Sequence, residues 1–307
     1  MKKTIKIGTR DSQLALWQAH TVEKLLNDMG FSTTIVPVKS EGDIQLTQPL
    51  YELGITGIFT KTLDIALLEG KIDIAVHSMK DVPTALPQGI VQAAVLERGN
   101  TTDILVHKGN LDFLGNAATI ATGSLRRQAQ WLNKHPQHTT VDLRGNVNSR
   151  LQKLNDNAWQ GAIFAAAGLE RINLKPEHYI NLDWMIPAPA QGAVMVVTLA
   201  KNEYCLNALS EINHVETEIC TYIERQFLKT LEGGCTAPIG ALVTYNEKED
   251  VLNFKGSLLS LNGKEKIEID RNFELKEWKK IGHNCAIEII ENGGKELMAQ
   301  LKEQLKK

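Results

Sequence analysis

Four of the nine arginines in this chain lie between Thr122 and Arg150, in the motifs T-G-S-L-R-R and L-R-G-N-V-N-S-R. A guanidinium group can bind a carboxylate or a phosphate through two parallel hydrogen bonds, which the ammonium group of lysine cannot do. Each motif follows a short apolar run and precedes a segment with helical spacing. The pattern therefore predicts a site for a ligand that carries several negative groups.

The same order of strand, arginine and helix occurs three times, in I-G-T-R-D-S, I-A-T-G-S-L-R-R and V-D-L-R-G-N. Ligands of open α/β sheets bind outside the carboxyl ends of the strands, where helix N-termini add unpaired N–H groups and partial positive charge. The alternative is that each arginine forms a surface ion pair, worth only ~0–1 kcal/mol. Because the arrangement is repeated, we favour an anion-binding cleft.

A second candidate for chemistry is the segment A-V-H-S-M-K-D-V-P, which follows a predicted buried strand. Cations near Asp81 would keep it ionised, since positive charge lowers the pKa of a carboxyl group. Such a carboxylate accepts hydrogen bonds from ligand N–H groups and stabilises a developing cation. The alternative is a turn into Pro83 with Lys80 as a surface charge. The residues favour neither interpretation, and we expect His77 to be a satisfied core or supporting histidine.

The third candidate is Cys235, in the segment L-E-G-G-C-T-A-P-I-G. The glycines and the proline place its thiol on a loop, where glycine permits a close backbone approach. A loop thiol near cations has a lowered pKa and is nucleophilic, whereas the alternative is a small buried loop residue. Cys205, Cys220 and Cys285 lie in helix-like apolar segments, which predicts buried, inert thiols.

The composition restricts the class of protein. A formal net charge of −2 is unlike the basic excess of a general nucleic-acid binder. No apolar run reaches the ~20 residues of a membrane span. The basic N-terminus leads into an alternating strand pattern and not into a signal-peptide core. We therefore expect a cytoplasmic protein with no nucleic-acid or membrane partner.

Hydrophobic patterns predict two successive α/β segments and a different C-terminal module. The predicted strands are 4–9, 33–38, 72–76, 103–107, 119–122, 139–143, 161–165, 193–199, 241–245, 251–259 and 264–269. Helical spacing separates the early strands, and two further helical runs at 274–291 and 295–306 follow the last strand. The expected fold class is α/β with parallel-rich mixed sheets, plus a C-terminal α+β domain.

The chain contains, in this order, the motifs A-V-H-S-M-K-D-V-P, T-G-S-L-R-R, L-R-G-N-V and L-E-G-G-C-T-A-P-I-G. Together these motifs resemble those of the porphobilinogen deaminases, also called hydroxymethylbilane synthases. The resemblance runs nearly end to end, from G-T-R-D-S-Q-L-A-L-W-Q-A to the C-terminal module. It implies a transferase that joins four porphobilinogen molecules head to tail and releases ammonia at each step. The product then leaves by hydrolysis as linear hydroxymethylbilane. Family likeness also suggests a monomer.

The resemblance assigns roles to individual residues. It implies that Cys235 carries a dipyrromethane cofactor through a thioether. It implies that Asp81 hydrogen-bonds pyrrole N–H groups, assists proton transfer and stabilises a cationic intermediate. The residues matched to binding of the acetate and propionate groups are Arg10, Arg126, Arg127, Arg144, Arg150 and Arg171. Other matched contacts are Ser12, Lys80, Thr122, Ser124, Gly145 and Gln191; no metal site is implied.

Three positions depart from the family pattern. Glu41 stands where many relatives have a neutral or basic residue, and Thr56 replaces a common lysine. Gly123 replaces a frequent serine in the paired-arginine motif. These changes put details of substrate contact in doubt but not the reaction.

We expect three domains, namely residues 1–98 with 193–213, residues 99–192, and residues 214–307. The first two should resemble the lobes of a type II periplasmic-binding-protein fold, and the third should present Cys235 to the cleft. The rival hypothesis is a non-catalytic two-lobed binding protein for a carboxylate-rich small molecule. The Cys235 loop argues against that rival, because simple binding does not need it.

Overall fold

The structure, a computed structural model, describes residues 3–38, 60–231 and 237–305. The predictions for Glu41, Thr56 and Cys235 lie outside the described residues. The described ranges contain two five-stranded sheets and one three-stranded sheet. They divide into two compact units, one formed by 3–38, 60–99 and 192–218 and the other by 100–191, 219–231 and 237–305.

The described elements have the following bounds. The strands are β1 Ile5–Thr9, β2 Thr33–Pro37, β3 Ile74–Ser78, β4 Ile90–Val95, β5 Asp103–His107, β6 Thr119–Ala121, β7 Thr139–Val141, β8 Gly161–Ala165, β9 Tyr179–Asn181, β10 Val194–Leu199, β11 Ile239–Asn246, β12 Val251–Leu259 and β13 Lys266–Glu274. The helices are α1 Gln13–Asp28, α2 Lys61–Leu68, α3 Leu125–Lys134, α4 Val147–Asp156, α5 Ala166–Glu170, α6 Glu203–Ser210, α7 Val215–Thr230, α8 Trp278–Ile289 and α9 Lys295–Gln304.

The sheet of the first unit has the order β2-β1-β3-β10-β4. Its first three strands are parallel, whereas β10 pairs antiparallel with both of its neighbours. Isoleucines of β1 and β3 form a buried core with residues of α1, β10 and α6. Because β1 and β3 are parallel neighbours, their carboxyl ends meet at one edge of the sheet.

Helix α1 begins after Ser12, whose side chain accepts a hydrogen bond from the Ala15 N–H group and so caps the helix. It ends before Gly30, which has a φ of +80° and donates its N–H to the Asn27 carbonyl. The buried residues of the helix are Gln18, Ala19, Val22 and Leu26. The polar side chain on this buried face, Gln18, has a specific partner, the Ser78 hydroxyl at the end of β3.

The sheet of the second unit has the order β7-β6-β8-β5-β9. The strands β7, β6 and β8 are parallel, and β5 pairs antiparallel with β8 and β9. The two five-stranded sheets therefore share one plan, in which three parallel strands are followed by an antiparallel one. The carboxyl ends of β7, β6 and β8 lie side by side, and the arginine-rich segments follow them.

The C-terminal part of the second unit is an antiparallel meander, β11-β12-β13, covered by helices. Its core includes Phe227 of α7 and Phe254 of β12, whose rings meet edge to face with centroids 5.1 Å apart. Gly282 of α8 lies against the Ile223 carbonyl of α7, where any side chain would collide with backbone. Glycine at this point permits the close approach of the two helices.

The predicted fold class, α/β with parallel-rich mixed sheets and a C-terminal α+β part, is confirmed. Two strands, β4 and β9, were not predicted from the sequence, and each lies at one edge of its sheet. The start of α8 was also predicted too early, since β13 continues to Glu274 and a 3₁₀ turn precedes Trp278. Among the described helices, none has the length and apolarity required to span a bilayer.

Candidate active site

A pocket of about 80 Å³ opens at the carboxyl ends of β1 and β3 in the first unit. Arg10 follows β1, and a 3₁₀ turn, Met79–Asp81, follows β3. Both segments reach the pocket because their strands are adjacent and parallel. The lining residues are Arg10, Ser12, Leu14, Ala15, Gln18, Thr60, Val76, His77, Ser78 and Asp81.

The position of Asp81 is set by the backbone around it. The Met79 N–H group donates to the Ala193 carbonyl at 3.0 Å, and the Val82 N–H group closes the turn onto the Met79 carbonyl at 3.2 Å. Met79 itself is buried and anchors the turn. Asp81 is therefore held half-buried at the pocket wall, in the same pocket as Arg10.

Two further polar residues of the pocket were not singled out from the sequence. Gln18 Nε2 donates to Ser78 Oγ at 2.8 Å, which explains the buried amide on α1. The bond joins the first helix to the end of β3, just before the Asp81 turn. The sequence does indicate that Gln18 is unusual, because it is the polar residue on an otherwise apolar helix face.

His77 is buried in the wall of this pocket, with 6% of its surface exposed. Burial, and secondarily the charge of Arg10, lower the pKa of His77 to about 4. The ring is therefore neutral near pH 7. Among the described residues its Nε2 atom has no hydrogen-bond partner. His77 is a core residue as predicted, but the prediction that its hydrogen bonds are satisfied is wrong for Nε2.

Arg126 and Arg127 stand in the first turn of α3 in the second unit, with 3% and 6% of their surfaces exposed. Both are held by Asp103, the first residue of β5. Arg126 Nη1 donates to Oδ2 of this carboxylate at 2.7 Å, and Arg127 donates to Oδ1 from Nη2 at 2.8 Å and from Nε at 3.0 Å. The sequence analysis missed Asp103, because the pairing is long-range in sequence.

The electrostatics of this cluster favour an additional anion. Burial raises the pKa of Asp103, but the charges and hydrogen bonds of the two arginines outweigh that effect and lower it to about 2. One carboxylate therefore faces two guanidinium groups, which leaves one excess positive charge in a buried place. Buried charges are stable only when they are paired. Arg126 Nε also lacks a hydrogen-bond partner among the described residues.

Other matched residues follow the neighbouring strands β6, β7 and β8. The Thr122 hydroxyl accepts from the Ser124 N–H group, and the Ser124 hydroxyl caps α3 by accepting from the Arg127 N–H group. Arg144, which follows β7, is largely buried, and its carbonyl accepts from Lys153 Nζ.

The turn before α4 uses a glycine for a conformational reason. Gly145 has a φ of +110°, and its carbonyl accepts a hydrogen bond from Arg150 Nε at 2.7 Å. Asn146 caps α4 by accepting from the Ser149 N–H group at 2.9 Å. Arg171 ends the short helix α5, and burial lowers the pKa of its guanidinium, which the charge of Glu170 partly offsets.

The structure thus gathers the matched residues into two sets, one in each compact unit. The first set lines the pocket and contains Arg10, Ser12 and Asp81. Lys80, which directly precedes Asp81 in the chain, is half-buried. The second set surrounds the carboxyl ends of the parallel strands and contains Thr122, Ser124, Arg126, Arg127, Arg144, Gly145, Arg150, Arg171 and Gln191. Both sets contain guanidinium groups and hydroxyls near helix N-termini, which is the chemistry expected for carboxylate ligands, and the first set also contains the carboxylate of Asp81.

Comparison with known proteins agrees with this chemistry. The profile of the dipyrromethane cofactor binding domain of porphobilinogen deaminase matches residues 5–207, and that of the porphobilinogen deaminase C-terminal domain matches residues 218–291. A probable porphobilinogen deaminase of Methanosarcina acetivorans is 41% identical over 299 residues, which cover 95% of this chain and 93% of the relative. The porphobilinogen deaminase of Campylobacter fetus subsp. fetus is 39% identical over 304 residues, 98% of this chain and 99% of the relative.

Solved structures show a more distant likeness. The extracellular-binding protein of a probable amino-acid ABC transporter from Bacillus subtilis has a TM-score of 0.43 and 11% identity, over 69% of this chain and 90% of that chain. The two porphobilinogen deaminases match this chain at much higher identity and over nearly its whole length. These matches show that the chain belongs to the porphobilinogen deaminase (hydroxymethylbilane synthase) family, transferases of tetrapyrrole biosynthesis with a dipyrromethane cofactor.

Proposed function

We propose that this chain condenses four porphobilinogen molecules stepwise onto a dipyrromethane cofactor, releasing ammonia at each addition and finally hydroxymethylbilane. Family membership supports the reaction class. The observation that carries the residue assignment is the pocket in which Arg10, Ser12 and Asp81 meet. A carboxylate, a guanidinium and a hydroxyl at one sheet edge suit a substrate that has both acidic side chains and a pyrrole N–H group.

Asp81 is the proposed catalytic residue. Loss of ammonia from porphobilinogen leaves a cation whose charge is shared with the pyrrole nitrogen. A fixed carboxylate stabilises that charge as it develops, and it accepts the pyrrole N–H hydrogen bond. Arg10 in the same pocket is placed to bind a substrate carboxylate through two parallel hydrogen bonds.

The second set of residues fits the dipyrromethane group. Two pyrrole rings with acetate and propionate side chains bring four carboxylates, and the Asp103 cluster has one excess positive charge for an anion. Arg126 Nε, which has no hydrogen-bond partner within the described part of the chain, and the N-terminus of α3 add donors. When bound, the cofactor supplies the terminal pyrrole carbon to which the first substrate is joined. The arginines hold its carboxylates and so orient it.

Cys235 is the proposed attachment point, although it lies outside the described residues. The other three cysteines are buried. Burial raises the pKa of Cys205 to about 11 and that of Cys285 to about 12, so neither is a thiolate near neutral pH. The two glycines and the proline around Cys235 favour a loop in place of a helix or strand.

The proposal includes the three-domain division, with residues 1–98 and 193–213, 99–192, and 214–307. It also includes a monomeric cytoplasmic enzyme that uses porphobilinogen as its small-molecule substrate. The family resemblance supports these points. The three separate sheets and the two profile matches, to residues 5–207 and 218–291, support the division into domains, although nearly all of the second and third proposed domains belongs to one compact unit.

The test of the catalytic assignment is Asp81→Asn, which keeps the shape of the side chain and removes its charge. We expect the kcat for hydroxymethylbilane formation and ammonia release to fall by about 100-fold or more, because one electrostatic stabiliser of the transition state is lost. The far-ultraviolet spectrum and thermal midpoint should stay close to those of the unaltered chain.

A matched control is Asp11→Asn, which changes an exposed aspartate next to Arg10 that does not line the pocket. Its kcat should remain within about twofold of the unaltered value. A folded Asp81→Asn chain with near-normal kcat would remove Asp81 from catalysis. A chain that binds porphobilinogen and releases no ammonia would contradict the enzymatic proposal as a whole.

A further inference from the structure

One segment of the second unit touches both the buried arginine pair and the C-terminal sheet. This segment, residues 186–191 with the sequence I-P-A-P-A-Q, is here named the strap. Its first carbonyl, that of Ile186, accepts a hydrogen bond from Arg126 Nη1 at 2.8 Å. Its last side chain, Gln191, donates from Nε2 to Asp103 Oδ1 at 2.9 Å. The position of the strap therefore bears on the orientation of the arginine pair.

The strap contains a residue in an unusual conformation. Ala190 has a φ of +62°, a left-handed value that residues with a Cβ atom adopt at an energetic cost. Such a conformation persists only where the surroundings enforce it. Here the Ala190 N–H group donates to Glu224 Oε2 at 2.6 Å, and both residues are fully buried. The hydrogen bond to Glu224 is thus a direct restraint on Ala190.

Glu224 also restrains the C-terminal sheet. Its other oxygen, Oε1, accepts the N–H group of Val243 in β11 at 2.7 Å. Helix α7, which carries Glu224, and strand β11 are the elements before and after Cys235 in the chain. One buried carboxylate therefore ties both of them to the strap.

We propose that Glu224 is a positioning residue for the anion site of the second unit. It holds Ala190 in the left-handed conformation, and this places Gln191 against Asp103. Asp103 in turn sets the orientation of Arg126 and Arg127. The inference rests on the proposed function of the arginine pair, namely the capture of the cofactor carboxylates.

The first test is Glu224→Gln, which preserves the shape but not the acceptor pair. A glutamine has one acceptor oxygen, and its NH₂ group would face a backbone N–H group, so one of the two restraints is lost. The full-length chain is made in cells that cannot produce porphobilinogen and is then given porphobilinogen. Intact mass is followed over time. The variant should acquire the dipyrromethane mass about tenfold more slowly than the unaltered chain.

A rescue experiment separates positioning of the strap from support of the sheet. Glycine adopts positive φ values without the Cβ penalty, so Ala190→Gly makes the strap less dependent on its restraint. The double variant Glu224→Gln/Ala190→Gly should return to within about threefold of the unaltered capture rate. A role confined to Val243 and β11 would not be rescued by a change at position 190.

The matched control is Asp73→Asn in the first unit. Asp73 also accepts a backbone N–H hydrogen bond, from Lys6 to Oδ2 at 2.9 Å, but it belongs to the first unit and the strap to the second. This variant should lower the thermal midpoint and leave the capture rate unchanged. If Glu224→Gln does not fold, Glu224→Asp takes its place in the comparison, because it shortens the side chain by one methylene and so draws the carboxylate away from the Ala190 and Val243 N–H groups.

The outcomes distinguish this inference from the proposed function. Capture at the unaltered rate in Glu224→Gln, or failure of Ala190→Gly to rescue it, overturns the role of Glu224. Arg127→Gln provides the reference for the site itself. If Arg127→Gln captures the cofactor normally, the proposed function of the arginine pair is wrong. If Arg127→Gln is defective and Glu224→Gln is not, only the positioning role fails.

Discussion

For two of the arginines, the structure shows a counter-ion that the sequence does not indicate. The sequence indicates cations available to a ligand, and the structure shows that Arg126 and Arg127 already share Asp103. Their function as an anion site therefore depends on the excess of two guanidinium groups over one carboxylate. Spacing along the chain predicts the paired arginines, but not a counter-ion on another strand.

His77 gives a prediction about pH. Its pKa in the folded chain, about 4, lies below the ordinary 6.5, so the unfolded chain takes up the proton first as the pH falls. The stability associated with neutral His77 is fully present above pH 6.5 and is lost as the pH falls from there towards 4. At pH 5 the loss should be about 2 kcal/mol relative to pH 7.

The measurement compares the unaltered chain with His77→Gln, which cannot titrate in this range. Urea unfolding at pH 7 and pH 5 gives the free energy of unfolding for each. The unaltered chain should lose more stability than the variant between the two values. Equal losses in the two proteins would show that burial of His77 does not shift its proton affinity.

Among the elements, strands and helices with strong periodicity were predictable, whereas the two outer strands β4 and β9 were not. Serine is a favoured N-cap residue, and Ser12 caps α1 shortly after the strand β1 and Arg10. The side of α1 that is buried was harder to predict from the sequence. Trp17 and Leu25, at helical spacing, are more than a third exposed, while the buried face contains Gln18. Its role depends on Ser78, a partner 60 positions away that helical spacing cannot reveal.

Gly123 illustrates a close approach between elements. A Cβ atom added there would lie 2.5 Å from the Leu143 carbonyl oxygen, so the loops after β6 and β7 are packed too tightly for a side chain. We expect Gly123→Ser to lower the free energy of unfolding by about 1–3 kcal/mol, since backbone must move to accommodate it. The Michaelis constant for porphobilinogen should rise, because Thr122 and Arg144 sit on the two loops.

Gly115→Ser is the control for this change. A Cβ atom at Gly115 meets nothing within 4 Å, so the substitution should alter stability by no more than about 0.5 kcal/mol. Equilibrium unfolding and steady-state kinetics on both variants provide the comparison. A Gly123→Ser chain as stable and as active as Gly115→Ser would contradict this prediction, because it would show that the two loops move apart without a loss of stability or activity.

At the scale of the whole molecule, the chain uses one structural plan twice. Each unit has three parallel strands with a fourth strand running against them, and each collects polar side chains at the carboxyl ends of its parallel strands. The alternation of strands and helices predicted this α/β class. Periodicity could not predict which strand returns to which sheet, since β10 joins the first sheet from a distant part of the chain.

The central claim is that Cys235 carries a covalently bound dipyrromethane. Intact-mass measurement of the chain purified from cells that make porphobilinogen tests it most directly. The unaltered chain and a Cys220→Ser control should each be heavier than their sequences by the mass of one dipyrromethane. The Cys235→Ser chain should have the mass of its sequence alone. An unaltered chain without the added mass, or a Cys235→Ser chain that retains it, would contradict the account.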